Sequence, residues 1–217
     1  MNKQQIANLI CEKLQATDSA SLELCKKFIN LRYEMIWHDG LWKESLVMQT
    51  VAVPAHDHSV TLAPEFEFPV AVRCDREQVL PVDQQTLFAV DPDIFDRAGT
   101  PSRFVVLPKQ DGRARLRLLE TPARDCQLLV LGKRVFQPLA ADDDTGALVA
   151  LNNTLIAFAE YDMLERERQY AKAQTKLQEA NALMEQMREV ERYQTAASAQ
   201  LIPGPTGTEW DAAEFGY

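Results

Sequence analysis

The sequence predicts an α+β protein. We expect an N-terminal αα-hairpin and one long C-terminal helix, with a small antiparallel β domain inserted between them and an extended C-terminal arm. Three observations predict this class. Apolar residues recur at helical spacing as far as Trp37, β-forming runs fill residues 46–136, and neither Gly nor Pro occurs between Leu148 and Ala199. The expected regions are 1–45, 46–136, 137–200 and 201–217.

Two amphipathic patterns indicate the N-terminal hairpin. Residues 4–15 carry apolar side chains at helical spacing, and a second pattern runs from Leu22 to Trp37. Residues 16–19 interrupt the spacing and offer side chains that can cap a second helix. Gly40 follows, and a left-handed glycine commonly ends a helix at such a place.

Short β-rich runs separated by proline and glycine predict the inserted β domain. They are 46–53, 59–62, 71–74, 78–82, 104–107, 113–119 and 127–135. Residues 83–88 are expected to form a short helix or turn. Asp111-Gly112 predicts a hairpin whose loop is longer than the tightest type. Arg113, Arg115 and Arg117 alternate with apolar residues, which is typical of a strand with one buried and one cationic face.

The long helix is expected to span about fifty residues, or roughly 75 Å at ~1.5 Å per residue. Its first half has a broad apolar face that should be buried within the subunit. The second half has a thinner, heptad-like seam, which favours packing beside copies of itself or a partner protein. The alternative is a solvated helix with surface ion pairs. The seam residues are Tyr170, Ala173, Leu177, Ala180, Met184 and Met187.

The C-terminal segment 201–217 is too short to bury a core of its own. It carries three large aromatic residues, Trp210, Phe215 and Tyr217, after a Pro- and Gly-rich start. We expect an arm that becomes ordered on a partner and uses these aromatic side chains as anchors. A frayed terminus is the alternative.

Composition restricts the classes of function. The net charge of −9 and the pI near 4.9 argue against electrostatic binding to phosphate backbones, although an acidic chain could surround DNA without holding it. No apolar run is long enough to span a membrane, and the polar N-terminus lacks a secretion signal. The four scattered cysteines are expected to be reduced, buried thiols of a cytosolic protein.

Candidate catalytic groups are few, so we expect neither an enzyme nor a bound cofactor or metal. His56-Asp57-His58 offers two metal ligands but no further ligand at a suitable spacing. The acidic run 142–144 lacks the distal ligand of a calcium loop and is expected to cap the long helix. The sequence has no nucleophile elbow and no glycine-rich phosphate loop.

Three segments resemble head–tail adaptor (neck or connector) proteins of tailed double-stranded DNA bacteriophages. Residues 21–44, SLELCKKFINLRYEMIWHDGLWKE, resemble their helix-to-Trp opening. Residues 82–107, VDQQTLFAVDPDIFDRAGTPSRFVVL, are similar to the middle of such proteins. Residues 131–177, which include LGKRVFQPL and DDDTGALVALNNTLIAFAEYDMLERERQYAKAQTKL, resemble their helix-forming C-terminal half.

The resemblance implies a structural virion protein. Such a subunit forms a ring, expected to be a dodecamer, below the portal protein, extends the DNA channel and offers an attachment surface for tail, nozzle or tail-tube proteins. Genomic DNA then passes through without sequence-specific binding. The location is the virion neck, with the host cytoplasm as the place of assembly.

Two other functions stay open at this stage. One is a transient assembly chaperone or scaffold with a coiled-coil stalk. The other is a metal-dependent hydrolase that uses His56, Asp57 and His58. For the adaptor we expect partner binding through Trp210, Phe215 and Tyr217 and through Tyr170, Leu177, Met184 and Met187.

Overall fold

The computed structural model describes residues 1–83 and 97–200, of which 193–200 are described as backbone only. Within these ranges the chain forms four α-helices, with the strands between the second and the third. They are α1 (Lys3–Leu14), α2 (Ser19–Asp39), α3 (Asn152–Arg166) and α4 (Tyr170–Gln200). None of the described helices has the length and apolar content that a membrane span requires.

Nine β-strands are found in the described part of the chain. They are β1 (Leu46–Val53), β2 (Ser59–Thr61), β3 (Phe66–Cys74), β4 (Glu77–Pro81), β5 (Ala98–Gly99), β6 (Arg103–Gln110), β7 (Arg113–Leu118), β8 (Thr121–Pro122) and β9 (Cys126–Arg134). Seven of them form one sheet in the order β1-β9-β3-β4-β6-β7-β2, and β5 pairs with β8 separately.

The predicted fold class is wrong, because the β part is not a small insertion. The protein is a mixed α/β chain whose large seven-stranded sheet is nearly closed. In the sequence, the strands separate the first two helices from the last two. The sheet grows large because β9, the last strand, lies between β1 and β3 and pairs with both along most of its length. The sheet is also not purely antiparallel, since β4 and β6 run parallel.

The two edges of the sheet, β1 and β2, lie next to each other. The Ala63 amide, just after β2, donates a hydrogen bond to the side chain of Gln49 on β1 at 3.0 Å. This contact reduces the exposed edge that an open sheet would present. Apolar residues from β1, β2, β3, β4, β6, β7 and β9 fill the interior, with Phe66, Phe104 and Leu116 fully buried.

The arginine-bearing strand β7 has the two faces that its sequence predicts. Ala114, Leu116 and Leu118 are buried, whereas the alternating arginines lie on the outer face. The β6–β7 loop is shorter than expected, since Gln110 pairs with Arg113 and only Asp111 and Gly112 form the turn. An irregularity between Leu107 and Gln110 lets β6 continue past Pro108.

Two helices, α1 and α2, lie where the sequence places the N-terminal helical patterns, and Asp18 is the N-cap of the second. The Asp18 carboxylate accepts the Ser21 amide at 2.9 Å. Gly40 is not left-handed as predicted, because its backbone is extended at φ −157°. The end of α2 is instead closed by Lys133, whose Nζ donates to the carbonyls of Trp37 at 2.7 Å and Gly40 at 3.1 Å.

The prediction of one long C-terminal helix is also wrong, because residues 167–169 separate α3 from α4. Arg168 is left-handed at φ 61°. The Gln169 amide donates to the Leu164 carbonyl at 2.9 Å, and the Arg168 amide donates to Glu165 at 3.0 Å. This hydrogen-bond pattern is a Schellman ending without glycine. A left-handed residue costs roughly 1–2 kcal/mol, so the packing gained by reversing the chain must exceed that cost.

After the reversal, α4 packs back along α3 and completes a second, helical core. Ala180 and Met184 of α4 are buried there with Phe158 and Met163 of α3. The core draws on all four helices and on the segment between β9 and α3. The apolar side chains of the predicted long helix are therefore buried largely within one subunit.

The acidic run before α3 caps a different helix from the one predicted. The Lys3 and Gln4 amides at the start of α1 donate to the carbonyls of Asp144 and Asp142, each at 3.0 Å. The Asp142 carboxylate lies 2.8 Å from Lys26 Nζ on α2. The expected turn at residues 83–88, beyond Asp83, and the arm 201–217 lie outside the described residues.

Candidate functional site

The predicted partner-binding residues of α4 fall into two groups. Met184 is buried, and Leu177 and Met187 pack at the border of the subunit's own helical core. Tyr170, at the start of α4, is 63% exposed and stands apart from them. The fold therefore brings three of these residues together inside the subunit and leaves Tyr170 on the surface. Trp210, Phe215 and Tyr217 lie outside the described part of the chain.

A buried carboxylate holds α4 against α1 and α3. Glu160 of α3 is 1% exposed, and its two oxygens contact Lys13 Nζ at 2.5 Å and Lys176 Nζ at 3.0 Å. Hydrogen bonds to Glu179 and then to Glu160 raise the pKa of Lys176. A carboxylate this deeply buried needs such partners, because its desolvation is otherwise costly. Glu160 thus fixes where α4 lies.

A second ion pair joins α2 to α3. The Arg32 guanidinium donates two hydrogen bonds to the Asp162 carboxylate, at 2.6 Å and 2.5 Å. It also lies over the rings of Phe158 and Tyr161, with its central carbon 5.2 Å and 5.5 Å from their centroids. The hydrogen-bonded Asp162 raises the pKa of Arg32 further.

Farther along α4, Arg188 reaches the end of α2. Its guanidinium donates to both carboxylate oxygens of Asp39, at 3.0 Å and 2.5 Å. The helical backbone then continues from residue 189 to Gln200, a further twelve residues. At ~1.5 Å per residue this continuation is roughly 18 Å long.

A cavity of about 230 Å³ lies where the helical core meets one end of the nearly closed seven-stranded sheet (the barrel). Tyr33 and Trp37 line it from α2, and Arg134 lines it from the end of β9. Gln137, Asp144 and Thr145 belong to the segment that leads to α3 and add further polar side chains to the lining.

Two of the residues that line this cavity each have a buried side-chain donor with no hydrogen-bond partner among the described residues. The two nitrogens are Trp37 Nε1 and Arg134 Nε. By contrast, Trp42 in the same core donates its Nε1 to the Ile36 carbonyl at 2.7 Å. Unpaired buried donors are rare, because each costs about 1–3 kcal/mol.

The Tyr33 hydroxyl is a third polar group of the cavity. It accepts the Ala147 amide at 3.0 Å, which leaves its own hydrogen available to donate. Burial raises the pKa of Tyr33 above its ordinary value of 10.0, so the hydroxyl is protonated at neutral pH. Phe136 supports both aromatic residues of α2, with ring centroids 5.5 Å from Tyr33 and 6.0 Å from Trp37.

The other end of the barrel carries two clefts that share Cys126. Cavities of about 210 Å³ and 430 Å³ both reach Cys126, and the smaller one also reaches Cys74. Burial raises the pKa of the Cys74 thiol to about 12, and burial raises the pKa of Cys25 as well. Both thiols are thus protonated and poor nucleophiles at neutral pH.

The loop proposed for a hydrolase is a tight turn between β1 and β2. His56 is left-handed at φ 67°, and the Asp57 carboxylate accepts the Ser59 amide at 3.0 Å. Across residues 1–83 and 97–200, no group of three or more His, Cys, Asp or Glu side chains is arranged to hold a metal ion. The geometry gives the hydrolase hypothesis no support.

Compared with models of known protein families and with curated proteins, the sequence matches none of them. The resemblance to head–tail adaptor proteins therefore stays a prediction from the three segments named above.

Sequence reasoning did not single out the cavity residues. Trp37 reads as a core anchor, which it is, and nothing in the sequence shows that its indole nitrogen lacks a partner. Arg134 offers a weak signal, since Lys133 and Arg134 are adjacent cations at the end of an otherwise apolar β-rich run. Two cations there indicate that the strand ends against polar groups.

Proposed function

We propose that the protein is a structural head-to-tail adaptor of a tailed bacteriophage virion. In this role it forms a ring below the portal protein, extends the DNA channel and presents a surface to which tail proteins attach. It acts by docking, without turnover. The proposal rests on the sequence resemblance together with features of the fold that suit a subunit of an assembly.

The observation that carries the proposal is the continuation of α4 beyond Arg188. In proteins most helical stability comes from tertiary packing rather than from helix propensity. Such a segment gains most when it packs against another chain. It also leads directly into residues 201–217, whose three aromatic residues suit anchoring on a partner.

The outer wall of the barrel supports the same role. Met48 on β1 is 64% exposed and lies opposite Leu131 of β9, and Leu129 follows on the same face. Adjacent exposed apolar side chains typically mark a protein interaction surface. In a closed ring, this wall would be covered by the neighbouring subunit.

The net charge is compatible with a DNA channel. At −9, the chain repels the DNA backbone as a whole and so would let DNA slide past without sticking. The outward arginines of β7 are an exception, and Arg115 already bonds to Gln110 at 2.6 Å.

The test is a truncation ending at residue 202. We expect the shortened protein to fold, because its two described cores are complete without residues 203–217, and to lose its binding to portal rings in a sedimentation assay. A second variant is the full chain with Trp210, Phe215 and Tyr217 replaced by alanine. It should lose portal binding in the same way, which would assign the loss to the aromatic side chains.

Normal assembly of the truncated protein on portal rings would disprove the anchoring role of the arm. Mass spectrometry of purified virions separates the adaptor from the transient chaperone, since a chaperone is absent from finished particles. Metal analysis of the purified protein tests the hydrolase, which requires a stoichiometric ion.

A further inference from the structure

We propose that a cationic surface on the β6–β7 hairpin binds the C-terminal arm, residues 201–217, of a second copy of this chain. Lys109, Arg113 and Arg115 form this cationic hairpin surface. The inference deepens the proposed function and rests on it, because it names the neighbouring subunit of the ring as the partner of the arm. Each subunit would then be linked to the next by one arm.

The first argument is that these three cations have no acidic partner. Lys109 and Arg113 are exposed, and Arg115 is half-buried. Arg115 donates to two neutral groups, the Gln110 side chain at 2.6 Å and the Ser59 hydroxyl at 3.3 Å. In the part of the chain that the structure describes, none of the three cations forms an ion pair. Their positive charges are therefore available to another molecule.

The position of β7 excludes the commonest role of cations on a strand. Lysine and arginine often protect an exposed sheet edge, but β7 lies between β6 and β2 in the seven-stranded sheet. The same hairpin does pair a cation where an acid is near, since Arg103 lies 3.0 Å from Glu120. Farther along, Asp111 is the one acid among residues 106–115. The hairpin thus presents a positive surface on a chain of net charge −9.

The second argument is the charge of the arm. Residues 201–217 carry Glu209, Asp211 and Glu214 and contain no Lys, Arg or His. Such a segment is attracted to a positive surface and repelled by the acidic remainder of the chain. Arginine suits a partner that is both acidic and aromatic, because guanidinium groups bond to carboxylates in pairs and also stack on aromatic rings.

The third argument is the spacing of the charged groups. Arg113 and Arg115 lie on one face of β7, two residues or roughly 7 Å apart. Glu209 and Asp211 are also two residues apart. An arm bound in an extended conformation would present their carboxylates on one face at the same spacing as the two guanidinium groups.

The aromatic residues of the arm fit the same arrangement. In an extended arm, Phe215 and Tyr217 fall on the face that carries Glu209 and Asp211, since all four positions are odd-numbered. On the hairpin, Leu107 of β6 pairs with Arg115 and is half-buried. Aromatic rings would therefore find both an apolar contact and guanidinium groups beside each other.

The path of α4 favours a second copy over the arm's own subunit. Arg188 is the residue of α4 that pairs with Asp39 at the end of α2. Beyond it Val190 is 40% exposed and Arg192 is exposed, so the helix has left its own core before residue 201. In a closed ring each subunit offers one arm and one hairpin, which is the heterologous contact that a ring requires.

Binding of a fluorescein-labelled peptide of residues 201–217 to the full-length protein tests the contact. Fluorescence anisotropy with a trace of peptide should show saturable binding that weakens as salt is added. Arg113→Glu combined with Arg115→Glu should weaken binding by about tenfold or more, because two attractive pairs become repulsive. Circular dichroism checks that this hairpin variant is folded, and Arg113→Glu alone serves if it is not.

The matched control makes the same change of charge elsewhere on the barrel. Arg73→Glu combined with Arg76→Glu alters two exposed arginines of the β3–β4 region and should bind the peptide as the wild type does. A peptide with Glu209→Arg and Asp211→Arg gives the reciprocal test. It should bind poorly to the wild type and to the control variant, and it should regain binding to the hairpin variant.

The truncation ending at residue 202 distinguishes the arm of a second copy from the subunit's own arm. An arm docked on its own hairpin competes with the peptide at a high effective concentration. In that case the truncated protein would bind the peptide about tenfold or more tightly than the full-length protein. We expect similar affinities for the two.

Four results overturn the proposal. They are failure of the peptide to bind the wild type, equal binding by the hairpin variant, much weaker binding by full-length than by truncated protein, and binding of duplex DNA instead of the peptide at Arg113 and Arg115.

Sedimentation with portal rings separates failure of this contact from failure of the adaptor role. If the hairpin variant still binds portal rings as the wild type does, the link between ring neighbours is overturned and the adaptor role stands. If the wild type binds the peptide at the hairpin but binds no portal ring, the adaptor role fails and the contact between copies stands.

Discussion

At the scale of single residues, Gly132 of β9 lies where the neighbouring strand β3 leaves no room for a side chain. A Cβ atom there would lie 2.4 Å from the Phe66 ring and 2.7 Å from the Phe68 carbonyl. We expect Gly132→Ala to lower the free energy of unfolding by about 1–3 kcal/mol, because the β3–β9 pairing must open to admit a methyl group. Urea unfolding followed by circular dichroism measures it.

Gly99 provides the matched control for this substitution. A Cβ atom at Gly99 meets nothing within 4 Å, and its backbone is not left-handed. Gly99→Ala should therefore change the unfolding free energy by less than about 0.5 kcal/mol, as is usual for surface positions. Equal effects of the two substitutions would contradict the close β3–β9 packing.

The buried thiol of Cys74 predicts a loss of stability in alkali. Its pKa is about 12 in the folded protein against 9.0 in the unfolded chain. Above pH 9.0 the unfolded chain therefore binds fewer protons than the native state. The unfolding free energy should fall by up to about 1.4 kcal/mol per pH unit from this group across that window. Urea unfolding at a series of pH values measures the slope.

The control for this pH dependence is Cys74→Ser, which cannot ionise there. Its stability should decline less steeply than that of the wild type above pH 9.0. Cys25, whose pKa is also raised, stays in both proteins. Lys133 stays in both as well, and because burial lowers its pKa, its contribution to the unfolding free energy rises with pH. If the two curves run parallel, the Cys74 thiol is not responsible.

At the scale of elements, two helices end in left-handed residues that are not glycine. Gln15 closes α1 at φ 58° and Arg168 closes α3 at φ 61°, each with the paired hydrogen bonds of a Schellman ending. Sequence rules place such endings at glycine, so neither is visible in the sequence. The second of them reverses the chain and brings α4 back onto α3.

The reversal makes Ala180 a core residue of its own subunit. It is 0% exposed, whereas Ala182, also on α4, is exposed. We expect Ala180→Leu to destabilise the isolated subunit by about 1–3 kcal/mol through overpacking. Thermal unfolding at low protein concentration measures it, so that association cannot contribute.

Ala182→Leu is the control and should change stability by less than about 0.5 kcal/mol. A straight helix that packs only against other chains gives a different result. In that arrangement Ala180→Leu would leave the isolated subunit unaffected and would alter only its assembly.

At the scale of the whole molecule, the helical core and the barrel core are joined by Lys133. Although it belongs to β9, its Nζ caps the end of α2 through the carbonyls of Trp37 and Gly40. We expect Lys133→Met to cost about 1–3 kcal/mol, because two buried carbonyls lose their donor. Calorimetry measures the cost and should also show the two cores unfolding with less overlap.

Lys172→Met removes a lysine that is exposed on α4 and serves as the control. Its unfolding curve should match that of the wild type within about 0.5 kcal/mol. If the two variants behave alike, Lys133 does not join the cores.

Local features of this fold were predictable from sequence where the determining interactions are local. The helical spacing before Trp37, the N-cap at Asp18 and the two faces of β7 each depend on residues within one element, and the structure confirms them. The predicted fold class fails where distant segments decide. No local pattern shows that β9 inserts between β1 and β3, nor that Arg168 takes a left-handed conformation.

The sequence by itself determined the positions of most strands and of the first two helices, because periodicity and capping are properties of neighbouring residues. Only the tertiary structure decided that the strands join into one large sheet and that the C-terminal helix folds back. It also decided that Trp37 and Arg134 line one cavity. These outcomes depend on contacts between residues far apart in the chain, whose burial outweighs local preference.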